Sequence, residues 1–305
     1  MRGRGFLYSC TLTLLTCSQG ILISASKGSS TTYQYSPIVA NLYVELLKLL
    51  MATVGIANLR RNANKPEVET KLPVRDLFPY AVPAAIYTFK NLLQYEILRH
   101  MAAPEYQILK NLNILTTGVL CRVFLGKVLT LRDWIGLILL SIGCTISQVD
   151  FKVGSTFILH RGLLLAFLMA FSSSFAGVYT EKILKTQTHK HIHVQNLYMY
   201  SFGFGFNACF ACYTHELEGM AVTLLRGFRP LVWVMIVNHA CSGIAVSYVM
   251  KFAGNIAKVQ ATSLAMVLTT SISALLLDFQ CTTNFVVGAL LVVIAIYIPS
   301  VRHKS

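Results

Sequence analysis

The sequence predicts an all-α membrane protein with ten transmembrane helices in two inverted five-helix repeats, and three observations support this fold class. First, the 305 residues are 55% hydrophobic and only 12% charged, whereas soluble domains are about 25% charged. Second, ten apolar segments of about 18 to 25 residues, the length that crosses a bilayer, follow one another along the chain. Third, the two halves share a weak internal repeat.

Each apolar segment defines one predicted span. A signal peptide is an alternative for the first 26 residues, but nine further apolar segments follow, which favours an uncleaved first span. An even number of spans places both termini on the same side. The predicted spans are 6–25, 34–59, 77–98, 104–124, 132–149, 160–181, 194–213, 230–250, 257–278 and 282–301.

The basic residues predict the orientation. A net charge of +14 would suggest nucleic acid as the partner of a soluble protein, but no nucleic-acid motif accompanies it, and we expect no such partner. If the N-terminus is cytosolic, the cytosolic tails and loops contain 17 of the 26 Lys and Arg residues, the opposite side contains 6, and 3 lie inside spans. The positive-inside rule therefore predicts cytosolic termini.

The repeat predicts how the halves are related. Residues 115–143 resemble residues 268–296, with Leu-Thr-Thr at 115–117 echoed at 268–270. Because five helices per half is an odd number, the second half must enter the membrane upside down, as in many secondary transporters. We therefore divide a single integral membrane domain into a first repeat, 1–150, and a second repeat, 151–305.

Three polar groups interrupt the apolar background of the third, fourth and ninth spans. Polar and ionisable residues at membrane depth are costly and usually face a partner or a watery cavity. Lysines from both halves around one cavity would neutralise a phosphate or carboxylate without catalysis. Taken singly, Lys110 is also consistent with a lysine at the membrane interface. Lys258 is also consistent with a positive charge at a helix end that sets the orientation of the helix in the membrane. The groups are Tyr87, Lys90, Asn91, Gln94 and Tyr95; Tyr106, Lys110 and Asn113; and Lys258, Gln260, Thr262 and Ser263.

Enzymatic and metal-binding functions are disfavoured. The chain has no P-loop, no H-E-x-x-H motif and no G-x-S-x-G elbow, so we expect no catalytic residues. Cys209 and Cys212 have C-x-x-C spacing but lack the further ligands of a metal site, and we expect neither a metal nor a cofactor. Glu181 is predicted to form an ion pair at a loop end with Lys182 or Lys185.

Four blocks together resemble the nucleotide-sugar transporters of the CMP-sialic acid, UDP-galactose and UDP-N-acetylglucosamine group, and most closely the plant-type CMP-sialic-acid-transporter-like branch. The resemblance runs from about Leu15 to near the C-terminus. It implies a ten-helix fold of the drug/metabolite transporter type, residence in the Golgi or ER membrane, and exchange of a cytosolic nucleotide sugar for lumenal UMP or CMP. The blocks are YQILKNLNILTTGVLCR, FAGVYTEKILK, VQNLYMYSFGFGFNA and NHACSGIAVSYVMKFAGNIAKV.

The resemblance also implies substrate-binding residues. Lys258 matches a lysine that pairs with the nucleotide phosphate, while Tyr87, Asn91 and Tyr200 match pocket residues. Animal members read Y-Q-x-x-Y-Q-L-K in the fourth helix, so this chain carries Asn113 where they have lysine, with Lys110 one turn earlier. Gly254 stands where the family often has Asp. The predicted substrate-binding set is Tyr87, Asn91, Lys110, Asn113, Tyr200, Lys258 and Ser263.

The predicted function is therefore nucleotide-sugar antiport across the Golgi or ER membrane, by repeats that rock about a central basic cavity. The sequence does not identify the sugar, although a plant-like source favours UDP-galactose over CMP-sialic acid. An exporter of small metabolites on the same ten-helix plan and a non-transporting scaffold for glycosyltransferases are the alternatives. Besides the nucleotide cargo and membrane lipid, a homodimer or bound glycosyltransferases are left open as partners.

Overall fold

A computed structural model of the protein describes residues 2–27, 35–62, 74–100, 109–147, 161–187, 190–214, 227–276 and 282–300. The regular secondary structure of these residues is α-helical, and the helices follow the predicted spans closely. They are α1 (Arg2–Lys27), α2 (Pro37–Asn62), α3 (Val74–His100), α4 (Leu112–Leu125), α5 (Leu131–Ile146), α6 (Arg161–Thr186), α7 (Ile192–Tyr213), α8 (Pro230–Phe252), α9 (Asn255–Leu276) and α10 (Thr283–Ser300).

Local sequence signals set several helix ends. The α5 helix begins with a capping box, in which the Thr130 side chain accepts from the Asp133 N–H and the Asp133 carboxylate accepts from the Thr130 N–H. The α4 helix ends at Gly126, whose φ of +62° is the left-handed conformation typical of a helix C-terminus. Pro230 stands at the start of α8, where its missing N–H leaves no bond unmade.

Some of the described helices are identified as candidate membrane-crossing segments by their length and composition. Three segments are long and apolar enough to cross a membrane: Arg4–Ile23 in α1, Pro37–Arg61 in α2 and Pro230–Phe252 in α8. The shorter segments Leu112–Leu125 and Thr283–Pro299 are also apolar. The described residues are thus all-helical in their regular structure and include helices of membrane-crossing length and composition.

The structure corrects the predicted fourth span. Instead of one helix from 104 to 124, the described residues show helical Leu109 and Lys110, a turn at Asn111, and α4 from Leu112. The Ile114 N–H donates to the Asn111 carbonyl at 2.9 Å, a short-range bond of the 3₁₀ type that starts the new helix. The predicted span 104–124 is therefore interrupted at Asn111, next to Lys110, and Glu105, Tyr106 and Gln107 lie outside the described residues.

The chain forms two compact units. The first unit comprises Met1–Thr88 and Thr180–Ala253, and the second comprises Phe89–Tyr179 and Gly254–Ser305. In the first unit α1 packs on α8, and α2 packs on both α7 and α8, around an apolar core that includes Val44, Ile236 and Ala240. The predicted boundary at residue 150 separates the two sequence repeats, whereas the compact units are defined by packing in space. The repeat boundary therefore stays a prediction.

In the second unit, α5 packs along α10, while α9 contacts α4, α5 and α10. The α5–α10 crossing is built on two glycines. A Cβ on Gly288 would lie 2.6 Å from the Gly143 carbonyl oxygen and 2.5 Å from the Ser147 backbone nitrogen. Small residues that allow such close backbone approach are typical of helix contacts in membranes, where the hydrophobic effect does not hold helices together.

We expect Gly288→Val to separate this crossing. The added side chain would meet backbone atoms, which cannot rotate away, so we expect a loss of about 3 kcal/mol of stability, measured as a lower melting temperature in detergent. Gly205→Val is the matched control, because nothing lies within 4 Å of a Cβ at Gly205. Equal melting temperatures for the two variants would contradict the packing.

Candidate functional site: a lysine cluster and a partly buried ion pair

The predicted substrate-binding residues divide between the two units. The Asn91 side chain lies outside the part of the chain that the structure describes, so only its position on α3 is known. Tyr87 and Tyr200 belong to the first unit, and Asn91, Lys110, Asn113, Lys258 and Ser263 belong to the second.

The main feature of the second unit is a cluster of three lysines, which we call the lysine cluster. Lys90 lies on α3, Lys110 precedes α4, and Lys258 lies in the first turn of α9. The positive charges of Lys110 and Lys258 both act on the Lys90 ammonium group. Lys110 is exposed and the other two are partly exposed. The cluster therefore concentrates positive charge that a bound anion would neutralise.

Lys258 is positioned by the turn between α8 and α9. Its N–H donates to the Gly254 carbonyl at 3.2 Å, and its carbonyl accepts from the Thr262 hydroxyl at 3.1 Å. Gly254 has a φ of +100°, a conformation that favours glycine because it lacks a Cβ. Glycine at this position, where the family often has Asp, is therefore matched to the local backbone.

Asn113 has a structural role in this unit. Its amide oxygen accepts from the Ser174 hydroxyl and from the Thr117 hydroxyl at 3.2 Å, while its carbonyl accepts from Ser174 at 3.1 Å. Asn113 thus ties α4 to α6. An amide cannot supply the positive charge of the lysine in the animal pattern, whereas the lysine cluster has three positive charges, of which those of Lys110 and Lys258 act on Lys90.

Ser263 is buried, with 8% of its surface exposed. It shares a side-chain hydrogen bond with the Cys144 thiol, which joins α9 to α5. Its predicted contact with the substrate stays a prediction.

Tyr200 in the first unit is also buried, with 4% of its surface exposed. Its hydroxyl donates to the Gly243 carbonyl at 3.3 Å and lies 3.0 Å from the Ser247 hydroxyl. The Lys48 ammonium lies 4.7 Å from the centre of its ring, a distance typical of a cation–π contact. Tyr200 therefore positions Lys48. Tyr87, on α3, is partly exposed.

The sequence analysis missed a partly buried ion pair at this place. The Lys48 ammonium lies 2.6 Å from the Glu45 carboxylate, and the side chains are 13% and 14% exposed, respectively. A Cβ on Gly243 would lie 2.7 Å from Lys48 Cδ, so the glycine makes room for the lysine stem. The available signal was the spacing of Asn41, Glu45 and Lys48, which places three polar side chains on one face of an apolar helix.

Two features lie at the end of α6 and the start of α7. The predicted loop-end ion pair is confirmed for Lys185, whose ammonium lies 2.6 Å from the Glu181 carboxylate. His191, which caps α7, stacks on His193 with ring centres 5.0 Å apart. Partial burial, with the nearby charges of His193 and Lys251, lowers the pKa of His191 below its usual range, so its neutral form is favoured.

Comparison with known proteins decides the family. The model of the family described as "Nucleotide-sugar transporter" matches residues 6–300. The chain belongs to the nucleotide-sugar transporter family. The resemblance predicted from the four sequence blocks is confirmed, and this transporter is not an enzyme.

Several relatives of the transporter have names. Over 299 residues it is 42% identical to CMP-sialic acid transporter 4 of Arabidopsis thaliana, covering 96% of this chain and 83% of the relative. It is 41% identical over 300 residues to CMP-sialic acid transporter 2 of Oryza sativa subsp. indica, covering 97% and 83%. The UDP-N-acetylglucosamine transporter of Rattus norvegicus is 35% identical over 247 residues, covering 77% and 72%.

A solved crystal structure has the same fold as the transporter. The TM-score is 0.72, with 98% of this chain and 97% of that chain covered, at 14% sequence identity. The likeness establishes the fold and carries no functional information.

Proposed function

We propose that this nucleotide-sugar transporter is an antiporter that imports a nucleotide sugar into the Golgi or ER lumen in exchange for UMP or CMP. The lysine cluster is the observation that carries the proposal. A nucleoside monophosphate carries about 1.5 to 2 negative charges near neutral pH, and a UDP-sugar or CMP-sialic acid carries a comparable charge. One set of three lysines is therefore suited to both cargoes, as exchange requires.

The proposed site has two parts. Lys258, Lys110 and Lys90 bind the phosphates by charge-assisted hydrogen bonds, with Asn113 and Ser263 on neighbouring turns of α4 and α9. Tyr87, Asn91 and Tyr200 shape the site for the base and ribose. The exchange needs neither metal nor ATP if the binding site is readily exposed to the other side of the membrane only when it is occupied. Export of the monophosphate then drives uptake of the nucleotide sugar.

Ten membrane spans in two inverted repeats form part of the same proposal. Helix packing within each unit supports this arrangement, because α2 packs on α7 in the first unit, and α4 on α9 and α5 on α10 in the second. Each pair joins a helix to the one five places later, an arrangement that is compatible with a two-fold relation between the halves. The 17 basic residues assigned to the cytosolic side support cytosolic termini.

The cargo class is a pyrimidine nucleotide sugar. The named relatives are CMP-sialic acid and UDP-N-acetylglucosamine transporters, and we favour UDP-galactose as the physiological substrate. Because sugars of similar size are distinguished by a few hydrogen bonds, a panel of substrates is needed.

The test is uptake of radiolabelled nucleotide sugars into proteoliposomes of the purified protein, with UMP, CMP or buffer inside. We expect one nucleotide class to enter, and preloading with its own monophosphate to stimulate uptake. Protein-free liposomes are the control. If folded, inserted protein takes up none of the panel, the antiport proposal fails, and the metabolite exporter and the scaffold become the better explanations.

A further inference from the structure

One end of the first unit gathers positive charge from helices that are far apart in sequence. The three candidate spans of this unit, in α1, α2 and α8, each have a basic residue at one end. Arg4 begins the span in α1, Arg61 ends the span in α2, and Lys251 stands in the last turn of α8. Arg4 and Arg61 are exposed, and Lys251 is partly exposed. Basic residues beside the end of a membrane-crossing helix lie near the lipid headgroups.

Contacts between α1 and α8 bring two of these residues to the same end. The Tyr8 ring lies 5.0 Å from the Tyr248 ring and 5.5 Å from the Phe252 ring, measured between ring centres. The start of α1 therefore packs on the end of α8. Arg4 lies one turn before Tyr8, and Lys251 is next to Phe252, so both charges belong to this pair of helix ends.

The start of α7 joins the end of α2 to the same surface. The Lys251 ammonium donates to the Lys190 carbonyl at 2.9 Å, which ties the end of α8 to the residues that precede α7. A Cβ on Gly55 would lie 2.6 Å from Nδ1 of His193, so α2 also reaches the start of α7. Arg61 follows Gly55 by six residues at the end of α2. Helix packing thus places all three basic residues at one end of the unit.

We call the surface formed by Arg4, Arg61 and Lys251 the basic end. Its charge is not balanced by a described acid. Among the described side chains of the first unit, the carboxylates are Glu45 and Glu181, and each is paired with a lysine of its own helix. The basic end therefore has the charge to attract an anion.

Exposed apolar side chains beside the basic end indicate which kind of anion fits. Phe6 and Leu7 directly follow Arg4 and are 74% and 63% exposed, and Phe252 is 43% exposed. A free anion in water would use the basic residues alone. A phospholipid would use both parts, because its phosphate group binds Lys and Arg while its acyl chains cover apolar side chains at the boundary of the bilayer.

We infer that the basic end binds an anionic phospholipid, whose headgroup contacts Arg4, Arg61 and Lys251 and whose acyl chains pack on Phe6 and Leu7. The surface lies within the first unit, whereas the lysine cluster proposed for the cargo includes Lys110 and Lys258 of the second. The inference does not depend on exchange, and its test needs no nucleotide.

Two double variants with the same change in charge test the location of the surface. Arg4→Gln with Arg61→Gln removes two exposed arginines of the basic end. Arg122→Gln with Arg132→Gln is the matched control, because it removes two exposed arginines of the second unit that are predicted on the same side of the membrane. Both variants lower the net charge by two, so a difference between them reports position rather than total charge.

The measurement is the melting temperature of the full chain, stripped of lipid in detergent and titrated with phosphatidylserine, phosphatidylcholine or inorganic phosphate. We expect phosphatidylserine to stabilise the native protein well above the other two. Each Lys or Arg near an anionic lipid contributes about fivefold in affinity. The Kd for phosphatidylserine should therefore rise about 20-fold in the basic-end variant and stay within about threefold in the control. The single variants Arg4→Gln and Arg61→Gln, each expected to weaken binding about fivefold, carry the test if the double variant does not fold.

Three results would overturn the inference. Equal stabilisation by phosphatidylserine and phosphatidylcholine would show that the headgroup charge is not recognised. Equal weakening in the two double variants would show that only the total charge matters. Equal stabilisation by inorganic phosphate would show that the surface binds a free anion and not a lipid.

Discussion

Lys258→Met should abolish nucleotide-sugar exchange, with a fall of at least about 100-fold in the rate of uptake. Removing one partner of a desolvated charge pair costs about 2 to 5 kcal/mol, and about 2.7 kcal/mol corresponds to 100-fold. The fold should persist, because the backbone bonds of Lys258 to Gly254 and from Thr262 do not involve its ammonium group. Uptake into proteoliposomes preloaded with the monophosphate measures the loss.

Lys182→Met is the matched control, because Lys182 is an exposed lysine on α6 outside the lysine cluster. It should leave exchange unchanged. Lys90→Met and Lys110→Met should each reduce uptake, and Lys258→Arg should retain part of it because the charge remains. Near-normal exchange by Lys258→Met, in protein whose melting temperature is unchanged, would show that the phosphates bind elsewhere.

The helices of this transporter were predictable because the membrane imposes a simple rule on sequence. A bilayer-crossing helix must be apolar over a known length, and nine of the ten predicted spans coincide with observed helices whose ends differ by a few residues. The fourth span was the exception. Apolar content does not reveal a turn inside an apolar stretch, and the break at Asn111 depends on a single short-range bond.

The candidate site was less predictable, because it depends on contacts between residues far apart in sequence. The Glu181–Lys185 pair was predicted since its spacing puts both groups on one helix face. The repulsion between Lys90 and Lys258 joins residues 168 positions apart, and the sequence placed Lys90 only in a general polar group. Tyr200 was assigned by resemblance, which does not show that its ring lies beneath Lys48.

The Glu45–Lys48 pair should be essential for stability when one partner alone is removed. Lys48→Met leaves a carboxylate that is 14% exposed without its cation, and breaking a buried pair in this way costs about 3 to 5 kcal/mol. We therefore expect a large fall in the melting temperature of the detergent-solubilised protein. The Tyr200 ring, which also contacts the Lys48 ammonium, cannot compensate, since a π-face does not neutralise a carboxylate.

Replacing both partners separates structure from function. The Glu45→Gln and Lys48→Met double variant has no buried charge at this position, so its melting temperature should return close to the native value, as observed when buried pairs are exchanged for uncharged residues. A double-mutant cycle measures the coupling. A melting temperature of Lys48→Met equal to that of the native protein would show that the Glu45–Lys48 pair does not stabilise the fold. If the double variant is stable but does not exchange, the charges act in transport.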